Sequence, residues 1–208
     1  MAEQIMLREF QNKDSKELEG IIRETWNYDQ FCSPKTAAKL AKVFLNSCLA
    51  NQTFTQVAVE NQIPVGIIMG KNRVSYRCPL KFRIKLILSI ISLYLSKEGR
   101  HVSKMFQNVN DIDKELLEDS KKNYQGEVAF FAINSKCRGK GLGKKLFHSL
   151  LAYMERENIH EFYLFTDTTC NYQFYEHQGM TRRCEKSHSL TIKNQRSDMN
   201  FFLYEYQW

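Results

Sequence analysis

The segment with the most chemical information runs from Phe131 to Leu146 and reads FAINSKCRGKGLGKKL. It places Gly139, Gly141 and Gly143 between an apolar, strand-like run and an amphipathic helical pattern. Glycines allow backbone conformations closed to other residues, so consecutive amides can converge on one anion. The N-terminus of the following helix adds partial positive charge at the same point. Four basic side chains flank the glycines: Arg138, Lys140, Lys144 and Lys145. The segment therefore predicts a pyrophosphate cradle.

Two common nucleotide-binding loops do not fit this spacing. A Walker loop requires GxxxxGK[ST], and the fifth residue after Gly139 is Lys144 instead of glycine. The dinucleotide fingerprint GxGxxG also fails, because its third glycine would again fall at Lys144.

The segment instead resembles the Arg/Gln-x-x-Gly-x-Gly/Ala signature of the GNAT superfamily of acyl-CoA-dependent N-acyltransferases. Arg138, Gly141 and Gly143 fill its fixed positions. Downstream, residues 174–180 read FYEHQGM, similar to the superfamily's Phe-Tyr-Glu-x-x-Gly-Phe segment and at the separation that the family shows. The predicted element order extends the resemblance from Gln4 to Trp208, except for about 55 residues where the family normally has a short turn.

The resemblance implies acetyl-CoA as acyl donor, with its pantetheine arm paired to the backbone of residues 131–133 and its pyrophosphate on the glycine loop. Many members carry a CoA-contacting Asn at the position of Thr168; Asn171 lies nearby and takes that role or caps the next helix. The expected cofactor-binding residues are Phe131, Ala132, Ile133, Arg138, Gly139, Lys140, Gly141, Leu142, Gly143, Lys144 and Asn171.

Acyl transfer to an amine needs a base for the ammonium, donors for the tetrahedral oxyanion and an acid for the leaving thiolate. By resemblance, the oxyanion donor is a backbone amide near Ile133. Tyr175 is the candidate acid, since a free phenol has a pKa of about 10, close to that of a thiol. The alternative for Tyr175 is a half-buried aromatic residue that only packs.

Glu127 is the candidate base, because it resembles the catalytic glutamate that histone acetyltransferases carry six residues before the corresponding Ile133. Strand alternation predicts Glu127, Ala129, Phe131 and Ile133 on one face, apart from any bulge. Burial among apolar neighbours would raise the pKa of the carboxyl toward the working pH. The alternative is a solvated glutamate at a strand end.

The remaining residues that could do chemistry form no recognised site. The six cysteines lie at least 14 residues apart and show no zinc-ligand spacing, so no metal is expected. The five histidines form no triad-like arrangement. No covalent intermediate is expected, which makes Cys137 and Cys170 bystanders.

Periodicity predicts the order β-α-α-β-β-insert-β-α-β-α-β-β, an α/β (α+β) domain with a mixed sheet. The resemblance refines this to a mostly antiparallel sheet in one N-acetyltransferase domain spanning residues 1–208, with an insertion at about 71–124. Predicted strands cover 4–10, 55–60, 65–70, 127–133 and 161–167, followed by two more. Asn61 to Pro64 predicts a hairpin turn, and the insertion contains helices at about 80–96 and 109–121.

The insertion is strongly basic. Residues 71–104 carry nine Lys and Arg residues against Glu98 alone, a net charge of +8 in a chain of +7. The alternatives are a solvated helix face, a wall of the acceptor site or a homodimer interface. No nucleic-acid partner is expected, because no reader motif accompanies the charge.

The sequence thus predicts an N-acetyltransferase that moves an acetyl group from acetyl-CoA to a primary amine. The alternative is a non-catalytic acyl-CoA-binding module of the same fold. The N-terminus has no apolar signal-peptide core, and the longest apolar run, ten residues from Leu86, is too short to span a membrane. A cytoplasmic protein is therefore expected.

Overall fold

The computed structural model describes residues 5–192 and 195–208. Its strands are β1 (Ile5–Arg8), β2 (Phe54–Glu60), β3 (Ile63–Asn72), β4 (Gly126–Ile133), β5 (Glu161–Asp167), β6 (Thr181–Ile192) and β7 (Gln195–Gln207). Its helices are α1 (Ser15–Thr25), α2 (Tyr28–Phe31), α3 (Pro34–Ala50), α4 (Leu80–Tyr94), α5 (Lys97–Asp119), α6 (Leu142–Arg156) and α7 (Gln173–His177). Short 3-10 turns lie at Asn12–Asp14 and Ser135–Cys137.

The described strands form one seven-stranded sheet in the order β1-β2-β3-β4-β5-β7-β6. All neighbouring pairs are antiparallel except β4 and β5, which run parallel. The parallel pair is very short: only Gly126 with Phe162 and Glu127 with Tyr163 are in register. Beyond Glu127 the two strands separate, so the sheet opens into a wedge at its centre.

Helices cover both faces of this sheet because adjacent strand residues alternate between two apolar clusters. Ile67 packs with α1 and α3 on one face, whereas its neighbour Ile68 packs with Leu146 and Leu150 of α6 on the other. On the first face, Leu116 of α5 packs against the β5 and β7 residues next to the wedge.

The predicted mixed, mostly antiparallel sheet is therefore present, and Glu161–Asp167 has the predicted bounds. Gln4, the predicted first residue of the first strand, lies outside the described residues. The turn between β2 and β3 is tighter than predicted. Glu60 pairs directly with Ile63, and Asn61 and Gln62 form the turn with φ of 51° and 68°. Pro64 consequently belongs to β3 instead of the turn.

The insertion contains α4 and α5. The second helix begins at Lys97, 12 residues before the predicted start at 109, and is capped by the Ser96 hydroxyl, which accepts from the Gly99 amide at 3.0 Å. α4 packs on α3 through Phe82 and Leu93 and forms an outer layer. α5 alone reaches the sheet beside the wedge.

Candidate functional site

The backbone of β4 is exposed along the wedge. The amide of Asn134 donates to Val65 O at 2.8 Å, which makes this a hydrogen-bonded antiparallel pair with β3. Because such pairs alternate with non-hydrogen-bonded ones, the N–H and C=O groups of Ile133 and Phe131 point away from β3, into the wedge. Ala132, between them, directs its groups toward β3. The wedge therefore has a free strand edge along one wall.

A β-bulge at Ala129 changes which side chains share a face. Phe130 pairs with Met69 and Val128 pairs with Gly70, so Ala129 has no partner of its own in the ladder. Val128 and Phe131 both pack on the α6 face, where unbroken alternation would have separated them. The single face predicted for Glu127, Ala129, Phe131 and Ile133 in the absence of a bulge is therefore divided by this one. Glu127 lies on the α3 and α5 face, and Phe131 and Ile133 lie on the α6 face.

Glu127 lies at the vertex of the wedge and is largely buried. Only 16% of its side-chain surface is exposed, and the Lys71 ammonium on β3 is 4.0 Å from its carboxylate. Burial raises the pKa of Glu127, while Lys71 and hydrogen bonding from Tyr163 oppose that rise. The solvated strand-end alternative does not describe this environment. The net result is a carboxyl whose pKa lies above its ordinary value.

Two further carboxylates face the same region, and no sequence motif singles out either of them. Asp113 projects from α5, where burial together with the charges of Asp167 and Glu127 raises its pKa to about 7. Asp167 ends β5, one position past the buried Thr166. Asp113 falls within the predicted helix, on the side that carries Ile112 and Leu116. That apolar periodicity could have indicated an inward-facing carboxyl, but not that it meets Asp167 and Glu127.

The glycine loop connects the free edge to α6. Gly139 and Gly141 have φ of +79° and +76°, the left-handed region that favours glycine. A Cβ built on either would meet no atom within 4 Å, so both face open space. The first intrahelical bond of α6 runs from Lys145 N to Gly141 O at 3.2 Å. The earlier amides of the helix are therefore left for another acceptor.

Basic side chains surround this loop. Arg138 and Lys144 are exposed, and Lys140 forms a salt bridge to Glu60 with its Nζ at 3.1 Å from Oε1. The helix N-terminus adds partial positive charge. Leu142, by contrast, is buried in the α6 cluster, so it contributes only its backbone to the loop surface.

Gly143, unlike the other two glycines of the loop, faces packed side chains. A Cβ there would come within 3.2 Å of the Phe174 ring and 3.4 Å of Ile133 Cδ1. The third glycine therefore allows α6 to pack closely against both the end of β4 and the α7 segment.

The α7 segment places Tyr175 on the α6 side of the wedge. Its ring centroid is 6.4 Å from that of Phe131 and 6.2 Å from that of Tyr204. Burial, together with the charges of Cys170 and Asp167, raises the pKa of the phenol, so it is protonated at neutral pH. Within the described part of the chain its hydroxyl forms no hydrogen bond. Tyr175 and Glu127 thus lie on opposite faces of the sheet, with the wedge between them.

Asn171 lies on the surface just before α7. Its carbonyl accepts from Phe174 N at 3.2 Å, but Tyr172 is the N-cap residue of the helix. The capping role that the sequence left open for Asn171 therefore goes to another residue. Its side chain is exposed.

Comparison with known proteins shows what this architecture is similar to. The N-acetyltransferase of Staphylococcus aureus Mu50 is 13% identical, with a TM-score of 0.57 and 98% of each chain covered. The PaiA N-acetyltransferase of Thermoplasma acidophilum, solved with coenzyme A, is 14% identical, with a TM-score of 0.52 and 99% of each chain covered. A chain of the NatC complex bound to Gag peptide and CoA is 18% identical, with a TM-score of 0.52 and 99% of each chain covered.

At these identities the similarities concern the fold. No curated protein sequence matches the chain significantly. The model of the acetyltransferase (GNAT) family matches residues 18–180, which include both the free edge of β4 and the glycine loop. The chain therefore belongs to the GNAT acetyltransferase family.

Proposed function

We propose that the protein is an N-acetyltransferase that transfers the acetyl group of acetyl-CoA to a primary amine. The observation that carries the proposal is the continuous surface formed by the free β4 edge and the glycine loop. An extended amide-bearing arm can pair with Phe131 and Ile133, and its attached pyrophosphate then reaches the amides after Gly139. Few ligands besides coenzyme A combine those two parts.

The proposed donor site uses the residues of that surface in order. The pantetheine amides form hydrogen bonds with the backbone of Phe131 and Ile133. Ala132, between them, pairs with β3 and packs on the α3 face. The pyrophosphate lies on the loop amides of residues 139–144, where Arg138 and Lys144 are exposed to balance its charge. Asn171 contacts the arm near the thioester. The thioester itself then lies inside the wedge, between the two faces of the sheet.

The proposed reaction is a direct attack. The amine nitrogen bonds to the thioester carbonyl carbon, the oxyanion accepts a hydrogen bond from an amide near Ile133, and the C–S bond then breaks. Glu127 takes the proton that the ammonium must lose before attack, directly or through water. Tyr175, protonated on the opposite side, gives a proton to the departing thiolate, and the proton that the nitrogen loses as the amide forms restores the phenol. No covalent enzyme intermediate is formed.

The carboxylates near Glu127 support a cationic acceptor. Asp167 and the ionised form of Asp113, whose pKa is about 7, face the α5 side of the wedge, away from the glycine loop, and would attract an ammonium group approaching from that side. The basic α4 lies in the outer layer and does not line this region. The proposal therefore has the donor and acceptor entering from opposite faces.

The experiment is thiol release from acetyl-CoA, measured with a panel of small primary amines, polyamines, and peptides with free N-termini or lysines. We expect amine-dependent release and a product heavier than the acceptor by one acetyl group. Calorimetric titration with CoA is run in parallel. Binding of CoA without release for any acceptor class would instead support the non-catalytic module, and failure to bind CoA would overturn the proposal.

A further inference from the structure

α4 carries an exposed apolar surface that the donor and acceptor sites do not use. Five apolar side chains of the helix, and a sixth from the residue just after it, are between 49% and 77% exposed. They recur at helical spacing and form one continuous stripe along the helix, which we call the α4 stripe: Leu80, Ile84, Ile87, Leu88, Ile91 and Leu95. Phe82 and Leu93, on the opposite side of the helix, pack onto α3. An apolar area of this extent indicates an interaction surface.

The charges around the stripe are of one sign. At 100° per residue, Arg83 borders the stripe on one side and Lys81 and Lys85 border it on the other. α4 contains no acidic residue. Long basic side chains in these positions can keep their charged ends in water while their stems extend along an apolar surface.

A cavity adjoins the stripe at the border formed by Lys81 and Lys85. Its lining includes Lys39, Lys42 and Lys85, with Glu19 as the acidic member and Leu88 shared with the stripe. Two of the ammonium groups are held in place: Lys39 donates to Ser92 O at 2.7 Å and Lys85 to Asn12 Oδ1 at 2.9 Å. The cavity therefore presents fixed positive charge directly beside exposed leucine and isoleucine side chains.

From these contacts we propose that α4 docks on an anionic lipid bilayer. The stripe enters the boundary between headgroups and acyl chains, and the flanking basic residues and the lysine cavity meet lipid phosphates. A 15-residue helix is about 22 Å long, so it lies along the surface. Within the described residues, no helix is long and apolar enough to cross a membrane.

Charge complementarity selects this occupant over a second copy of the chain. A symmetric dimer through the stripe would bring two sets of basic residues together, and α4 offers no acidic partner for them. The stripe is also the convex side of a single helix, which a deformable surface can surround. Because α6 and the glycine loop lie on the other face of the sheet, the donor site stays in water when α4 is docked.

The test is flotation of the full chain with vesicles of phosphatidylcholine alone or with 30 mol% phosphatidylserine. We expect binding only to the anionic vesicles, weakened by 0.5 M salt. Ile87→Glu with Ile91→Glu should lower the bound fraction at least tenfold, and Arg83→Glu with Lys85→Glu should lower it several-fold. Ile63→Glu, at an equally exposed isoleucine in the β2–β3 hairpin, and Lys114→Glu with Lys121→Glu are the matched controls and should bind as wild type.

Circular dichroism and CoA titration check that each variant is folded. The wild-type comparison between the two vesicle compositions needs no variant, so it tests the proposal even where a substitution disturbs folding. Equal binding to both compositions, or no binding to either, would overturn it. A concentration-dependent dimer that Ile87→Glu with Ile91→Glu dissociates, without vesicle binding, would assign the stripe to a second copy instead.

Discussion

Lys71 and Glu127 are directly opposed residues of β3 and β4, with their charged groups 4.0 Å apart and about 15% of each side chain exposed. Two opposite effects thus act on one carboxyl: burial raises the pKa of Glu127 and the Lys71 ammonium lowers it. The first effect exceeds the second. Under the proposed reaction, this pair sets the pH at which the base becomes active.

Replacing Glu127 with glutamine should slow turnover at neutral pH by about a hundredfold or more, since general bases contribute on that scale. The wild-type rate should rise as pH increases through the raised pKa of Glu127, because only the deprotonated carboxylate accepts a proton. The variant should lose this acidic limb while CoA binds normally in calorimetry. Wild-type turnover with an unchanged acidic limb would mean that the base is another group.

Replacing Lys71 with methionine should move the acidic limb to higher pH. The lysine stabilises the charged form of Glu127, so its loss leaves burial less opposed and raises the pKa further. The rate well above the limb should change little, since the carboxylate is still present there. Lys122→Met is the control, because Lys122 pairs with Glu161 and Glu205 instead. If the acidic limb does not move in Lys71→Met, the limb does not report the titration of Glu127.

Replacing Tyr175 with phenylalanine should lower kcat by about 10²–10⁴-fold, the range for a lost general acid, with little effect on the acetyl-CoA KM. The ring contacts with Phe131 and Tyr204 survive this change, so only the proton donor is lost. Tyr172→Phe is the matched control, as that ring packs on Phe202 in the same cluster. Full turnover in Tyr175→Phe would leave the residue a packing role alone.

Replacing Gly141 with aspartate should weaken CoA binding by about a hundredfold or more relative to asparagine at the same position. Asparagine matches the size of aspartate and tolerates the left-handed backbone, so the pair separates charge from strain. The free space around Gly141 accommodates either side chain. Calorimetric titration with CoA measures the difference. Equal affinities in the two folded variants would mean that the pyrophosphate does not bind at this loop.

Much of the fold is legible in the sequence because local patterns determine it. The strand at 161–167 follows from the apolar periodicity of neighbouring residues in the chain. The glycine loop is equally local. A short motif therefore predicts both the positive-φ glycines and the helix that follows them.

The arrangement around Glu127 could not be predicted in the same way. The bulge at Ala129 depends on how β4 pairs with Met69 and Gly70, far away in the chain. Period-two alternation, which ignores pairing, therefore assigns Phe131 to the wrong face. Asp113 lies within the apolar arc that Ile112, Leu116 and Leu117 form on α5, so helical periodicity indicates that it faces inward. Its approach to Glu127 depends on where α5 packs on the sheet, which no local pattern determines.

The narrow space at Gly143 constrains how related sequences can be recombined. The signature that the loop resembles allows alanine at this position, but here an added methyl would press on Phe174, the residue before Tyr175. A loop transplanted from such a relative would need the Phe174 ring to shift by a few tenths of an ångström. The loop and residue 174 should therefore be exchanged together in any chimera.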